Sequence, residues 1–229
     1  MKKTKLKTPR NEWYQLGDEI NGTSTGDRFG QTLSFTRDGL ELVIGAHSAN
    51  ETSGYVKIYQ YQIAKSSWNE FQHLNSSSSS VNANDGYGKA IAFSENGEFL
   101  FTRAPDFSDG YGHVEAYKRL SDISPFYSFG RTMIGNSTCD HCGSSIASSF
   151  DGSYFLVGCP GTKGLSGVPV GSIVLNLLEN GEIYSSEKYN GFDAVGPHNF
   201  GASVVISSNG TTLVALSPIL CYIGTYEFR

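Results

Sequence analysis

Long apolar runs are missing from this 229-residue chain. None approaches the ~20 residues of a membrane-spanning helix, and nothing after the first lysines resembles the ~7 to 15 residue apolar core of a signal peptide. The sequence therefore reads as soluble, with no membrane span and no visible export signal. Positive charge is also scarce: 17 Lys and Arg stand against 22 Asp and Glu, a formal net charge of -5. Lys2, Lys3, Lys5, Lys7 and Arg10 all fall in a short tail, residues 1–12, which reads as a solvated basic stretch. Counterion release on nucleic acid needs a basic surface, and this acidic body excludes that role.

Catalytic signatures are absent as well. There is no GxSxG elbow, phosphate loop or HExxH. Nucleophilic catalysis needs a nucleophile, a base and an orienting group together, whereas His47, His73, His113, His141 and His198 are scattered. Cysteine is limited to four residues. Cys139 and Cys142 form a CxxC beside His141, but no second CxxC or spaced His pair completes a zinc set. No metal, no cofactor and no enzymatic activity are expected. Sequons start at Asn21, Asn50, Asn75, Asn136 and Asn209, and would matter only in a secreted protein.

What the chain has is glycine, 27 residues of it, and a phrase repeated four times. The copies are GDRFGQTLSFTRDGLELVIGA from Gly26, NDGYGKAIAFSENGEFLFTRA from Asn84, CDHCGSSIASSFDGSYFLVGC from Cys139 and PHNFGASVVISSNGTTLVALS from Pro197. Anchor glycines Gly30, Gly88, Gly143 and Gly201 lie 58, 55 and 58 residues apart, each followed nine residues later by Gly39, Gly97, Gly152 or Gly210. Internal periodicity of this kind fixes architecture before chemistry.

Within a unit, large and small residues alternate after the anchor glycine, as in Leu33 and Phe35 against Thr32 and Ser34. That pattern predicts a strand with a sheet on either side. Asp38-Gly39, Asn96-Gly97, Asp151-Gly152 and Asn209-Gly210 predict hairpin turns of type I′, with positive φ at both central residues. The second strand is continuously apolar, as in Leu42, Val43 and Ile44, and should be buried on both faces. A third strand (Tyr55 to Tyr61, His113 to Lys118, Ser172 to Leu178, Thr225 to Phe228) alternates and should lie nearer solvent. A fourth precedes each anchor glycine: Trp13 to Leu16, Trp68 to Leu74, one near Phe126 to Phe129, and Ile183 to Tyr189.

Four-stranded antiparallel sheets repeated at ~40 to 60 residues describe the blades of a β-propeller, against a stacked solenoid as competitor. The fold class is therefore all-β, a single repeat domain over residues 13–229 with units at about 13–67, 68–122, 123–181 and 182–229. The strand at Trp13 would complete the fourth blade and close a ring of four, near the lower limit for propellers.

The GDRFG and DGLELVIGA phrases, followed by Gly54-Tyr55-Val56-Lys57-Ile58-Tyr59, resemble the FG-GAP repeats of integrin alpha-subunit heads. The later copies drift, with Tyr87-Gly88, Cys142-Gly143 and Phe200-Gly201 at the anchor. The resemblance implies a propeller, often extracellular or at the cell surface, that works in adhesion or ligand binding. Integrin heads have seven blades, so it also implies that four blades could be a fragment of a seven-bladed ring. Some family repeats hold calcium, but Thr36-Arg37-Asp38-Gly39 supplies too few carboxylates for a hard cation.

Asp27, Asp85 and Asp140, with His198 in the fourth unit, recur three residues before the anchor glycine, and that register points to a structural hydrogen-bonding task. In the same register Cys142 and Cys159 occupy core positions as diagonal cross-strand neighbours. Free buried thiols, a disulfide in an exported protein, or metal binding are the readings in order of preference. The long loops (Gly17 to Arg28, Asn75 to Gly86, Gly191 to Asn199; His47 to Ser53, Pro105 to Tyr111, Pro160 to Val170) should share the face opposite the tight turns. Loops on a rigid scaffold carry binding, and Tyr87, Asp106, Asp109, Tyr111 and His113 are candidate contacts. The Ser76 to Ser80 run reads as a spacer.

The expectation is a non-enzymatic binding or adhesion module for a protein or glycan ligand. A propeller glycosidase or lyase would instead need a pocket with close carboxylates. A structural assembly unit would show an unclosed ring and self-association that depends on concentration.

Overall fold

The computed structural model describes residues 14–48, 54–75, 86–104, 111–130, 133–134, 137, 140–191, 197–219 and 222–227. Each glycine-anchored phrase folds as the first hairpin of a sheet. Strands β1 (Thr32–Phe35), β2 (Glu41–Ala46), β3 (Tyr55–Gln62) and β4 (Ser67–Asn75) pair in that order. The second sheet holds β5 (Ile91–Phe93), β6 (Phe99–Ala104) and β7 (His113–Lys118), with its outer strand split into β8 (Tyr127–Ser128) and β9 (Met133–Ile134), both paired to β7. The third is β10 (Ser145–Ser148), β11 (Tyr154–Cys159), β12 (Ser172–Glu179) and β13 (Glu182–Asn190). The fourth, among the described residues, is β14 (Ser203–Ile206), β15 (Thr212–Ser217) and β16 (Tyr222–Glu227). The strand pairings are antiparallel, and the first strands β1, β5, β10 and β14 stand side by side in chain order. This is the blade arrangement of a β-propeller. No helix among the described residues is long and apolar enough to cross a membrane.

Three apolar layers fill the spaces between successive sheets. Val43, Val56 and Ile58 meet Phe93, Leu100 and Tyr117 in the first; Phe99, Phe101 and Val114 meet Phe155 and Val157 in the second; Leu156, Ile173 and Leu175 meet Phe200, Val204 and Leu213 in the third. β2, β6 and β11 are buried on both faces, by neighbouring sheets or, on the outer side of β2, by Ile20, Phe29 and Trp68, whereas β15 at the end of the series alternates. The same covering overturns, in the first three blades, the expectation that third strands lie near solvent, whereas β16 is largely exposed as expected. β3, β7 and β12 are mostly buried, and their polar residues have partners: Lys57 Nζ lies 2.8 Å from Glu70 Oε2.

The tight turns form where expected but not as type I′. Only the glycine has positive φ (71°, 74°, 73° and 75° at Gly39, Gly97, Gly152 and Gly210), and the preceding Asp or Asn does not. A Thr or Ser two residues before that Asp or Asn explains why. Thr36, Ser94, Ser149 and Ser207 each donate a hydroxyl hydrogen bond to the Asp or Asn side chain, and each of their hydroxyls accepts the N–H that opens the second strand. The Asp or Asn in turn accepts the N–H two residues on. One glycine suffices because the side chains hold the rest of the turn.

Two boundaries differ from the sequence reading. Each outer strand joins the sheet before it, so β4 completes the first blade. At the N-terminus, Tyr14–Leu16 forms no strand and does not pair with β16, and Trp13 and Phe228 lie outside the described residues. The Leu16 carbonyl instead accepts the Trp68 indole N–H at 2.9 Å, which holds the segment against the first blade's own outer strand. Ring closure by the N-terminal strand is therefore not seen.

Candidate functional site

In the first and third blades the described loop residues meet on one face: the Asp27 carbonyl accepts from Ser48 N–H, and the Asp140 carbonyl from Gly161 N–H, joining the loops before strand one and after strand two. Two expected surface contacts are elsewhere. Tyr87 and His113 are buried at the junction of the first two sheets. Alternation along β7 turns His113, Glu115 and Tyr117 to one face. There His113 Nε2 lies 3.0 Å from Glu115 Oε1, Tyr117 donates to Glu115, and the Tyr87 and Tyr117 hydroxyls are 3.0 Å apart. Burial pushes both tyrosines up, aided at Tyr87 by the Glu115 charge and at Tyr117 by Tyr87 and Glu115, so both stay protonated donors. This is a core network, not a loop surface. Tyr111 is half-buried, and Asp106 and Asp109 lie outside the described residues.

Asp27 is buried and ties its loop together. It accepts from Tyr55 Oη at 2.5 Å and from the N–H groups of Phe29, Thr23 and Ser24. Burial opposes its ionisation, but these donors outweigh it and hold the carboxyl below its ordinary range. Asp140 is buried at the same register, Asp85 lies outside the described residues, and His198 is buried with neither ring nitrogen bonded among the described residues. Cys142 and Cys159 are joined as a disulfide, 17 residues apart, in the layer between the second and third sheets. The free-thiol reading is thus replaced by the bridge, and Cys142 is not available as a metal ligand. Cys139 lies outside the described residues.

Two clefts open on the opposite, tight-turn face. The first, about 710 Å³, lies between the first and second sheets. Its floor is an ion pair: Arg119 Nη1 donates to Glu41 Oε1 at 2.6 Å, and Nη2 donates to Oε2. Gln60 Nε2 donates to the same Glu41 and to the Asp122 carbonyl, each at 2.7 Å, and Arg119 also covers the Phe126 ring. Gly97 makes room for the pair, since a Cβ there would stand 2.5 Å from Arg119 Nη2.

The second cleft, about 520 Å³, lies between the third and fourth sheets and is lined by Tyr154, Tyr189, Tyr226, Glu187, Glu227 and three leucines, among other residues. Tyr154 sits at the register of Glu41, and its ring lies on Gly210 as the ion pair lies on Gly97. Tyr189 and Tyr226 are 4.5 Å apart between ring centroids, and Tyr189 donates to Glu187. The hydroxyls of Tyr154 and Tyr226 make no hydrogen bond among the described residues. Sequence reasoning missed both clefts, because their residues come from strands far apart in the chain.

No family model and no curated protein matches the sequence. Solved structures do. The chain is similar to the β-propeller domain of Myceliophteria thermophila Cps50 (Swd1), with TM-score 0.54, 11% identity, and 86% of this chain over 50% of that one. It is similar to a chain of the mitotic checkpoint complex (TM-score 0.55, 12% identity, 88% over 49%) and to the Pseudomonas aeruginosa periplasmic gluconolactonase PpgL (TM-score 0.52, 17% identity, 86% over 56%). At these identities the likeness concerns the fold, and the chain spans about half the length of those it matches.

Proposed function

We propose that this chain is a non-enzymatic binding module that takes up a glycan in the cleft between the third and fourth sheets. The observation that carries the reading is the three-tyrosine wall, two of whose hydroxyls make no hydrogen bond among the described residues. Aromatic rings cover the apolar faces of sugar rings, and phenol and carboxylate groups at the rim exchange hydrogen bonds with hydroxyls. The cleft volume of about 520 Å³ suits a short oligosaccharide. This moves the expected binding face from the long loops to the tight turns. The Cys142–Cys159 bridge supports an oxidising, extracellular setting, in keeping with the FG-GAP resemblance. Glu187 and Glu227 share the cleft, which is the feature a glycosidase reading would use, but both are exposed, whereas a carboxylic acid catalyst relies on burial.

A glycan array followed by calorimetric titration tests the reading. Tyr189→Ala and Tyr226→Ala should each weaken a bound glycan by about tenfold or more, or ~1.4 kcal/mol, while Tyr127→Ala on the second sheet's outer strand leaves it unchanged. Absence of glycan binding, or binding indifferent to both substitutions, would refute it. Conversion of the bound glycan to products would put the hydrolase reading in its place.

A further inference from the structure

The faces at the two ends of the blade series are unfinished in matching ways. At each internal junction the anchor glycine of one blade packs on the blade before it. A Cβ on Gly88 would stand 2.8 Å from the Tyr55 carbonyl oxygen, one on Gly143 3.1 Å from Arg103, and one on Gly201 2.4 Å from the Ser172 carbonyl oxygen. The turn glycines behave alike: Gly97 lies against Arg119 and Glu41, Gly152 against Phe99, and Gly210 against Tyr154. In the first blade the equivalent Gly30 and Gly39 have nothing within 4 Å.

Side chains tell the same story. Phe35 is 54% exposed, whereas Phe93 at its register is 6% exposed, and Leu33 beside it is 55% exposed. At the other end Ile223 is 59% exposed, although its counterparts Val56, Val114 and Ile173 are at 0%, 1% and 0%. Val205 on the same face is 57% exposed. A ladder of turn hydrogen bonds also stops at both ends. Arg37 N–H donates to the Glu95 carbonyl, Asn96 N–H to that of Phe150, and Phe150 N–H to that of Ser208. The next bond would run from the fourth turn to the carbonyl of a first turn.

We infer that a second copy of this chain covers these faces, the fourth blade of each copy stacking on the first blade of the other in a head-to-tail dimer. The surface that complements the fourth blade's outer face is, by the internal junctions, the outer face of a first blade. The described residues carry one of each, and these two faces do not meet among the described residues of one copy. The fit extends to the rim. Ile20, Phe29 and Trp68 cover Leu42, Ile44 and Tyr59 on the outer half of the first blade's face, and among the described residues the fourth blade has no outer strand to collide there. Interfaces that join unlike faces form rings when the rotation closes and filaments when it does not. Four blades laid over about half of a propeller domain give a ring that two copies close.

Sedimentation of the 229-residue chain, from micromolar to hundred-micromolar concentration, tests the inference. The wild-type chain should reach twice its monomer mass and stop there. Leu33→Asp with Phe35→Asp, and separately Val205→Asp with Ile223→Asp, should each sediment as a monomer. These side chains are exposed in the single copy, so the variants should keep its melting behaviour. Mixed one to one, the two variants should recover a dimer through the one junction left intact, which also shows that both are folded. A wild-type chain that stays monomeric, an open-ended polymer, a variant that still dimerises alone, or a mixture that stays monomeric would each overturn it.

Discussion

The junction of the first and second sheets and that of the third and fourth share one register but present opposite chemistry on the tight-turn face. At the first, Glu41 and Arg119 satisfy each other, with Gln60 and Asp122 taking the remaining contacts. A ligand there would have to break a buried ion pair, which is unfavourable unless the new partner replaces both charges. At the second, Tyr154 replaces the carboxylate and joins Tyr189 and Tyr226 in an aromatic wall, its own hydroxyl and that of Tyr226 making no hydrogen bond among the described residues. Repetition thus supplies a scaffold, and the side chains at the first position of the second strand, Glu41 in one blade and Tyr154 in another, give the two junctions their different chemistry.

The comparison is broken most severely at Arg119. Arg119→Ala leaves Glu41 buried without its partner and should cost about 3–5 kcal/mol of stability, read from urea unfolding. Replacing both charges, Arg119→Met with Glu41→Leu, should restore most of it, because a packed apolar pair needs no compensation for lost hydration. A double variant no more stable than Arg119→Ala would show that the pair does more than neutralise itself.

The two junctions can next be tested where they agree. The Thr32 hydroxyl donates to the Gly88 carbonyl at 2.6 Å, and the Ser145 hydroxyl to the Gly201 carbonyl at 2.8 Å. Each bond links one blade's first strand to the next blade's anchor. Thr32→Val and Ser145→Ala should each cost about 1 kcal/mol, and by similar amounts. A marked inequality would mean that the backbone frame of the junctions differs, and not only the side chains set on it.

Much of this fold can be read in the chain, and particular residues show why. Gly39 and its three counterparts adopt positive φ, a demand that only glycine meets cheaply, so the turns are visible in sequence. Leu42 to Ile44 form an apolar run because both sides are covered, Val43 by the second sheet and Leu42 and Ile44 by Ile20, Phe29 and Trp68. Tyr87 and His113 misled for the same reason: a loop-flanking aromatic and a histidine suggest surface, but the neighbouring blade buries them. The ion pair joins residues 78 apart in sequence, and no local pattern marks Arg119. One signal was available. Glu41 is a carboxylate at a register that Phe99 and Tyr154 fill with rings, and a charge among rings implies a partner.

The smallest expected effect lies on the long-loop face of the same two blades. In the first blade Tyr55 donates to Asp27, whereas in the third the equivalent Ser172 engages Thr162 at 2.8 Å. Asp27 has a folded-state pKa below its unfolded value, so its contribution is complete above the unfolded value and fades as pH falls through the folded one. Asp38 and Asp151 have the same sign, the first because Leu40 N–H and Thr36 donate to it, the second because donors from Ser153 and Ser149 outweigh burial. The chain should therefore lose stability at acidic pH, below the ordinary carboxylate range. Tyr55→Phe removes one donor to Asp27 and brings its pKa back toward the ordinary value. Unfolding followed against pH should then show a loss of about 1 kcal/mol near neutrality and a smaller decline in acid. Ser172→Ala, at the same register but with no bond to Asp140, should leave the acid profile unchanged. If the two substitutions shift the profile equally, the Asp27 clasp is not its source, and the first and third blades share a support that Tyr55 does not provide.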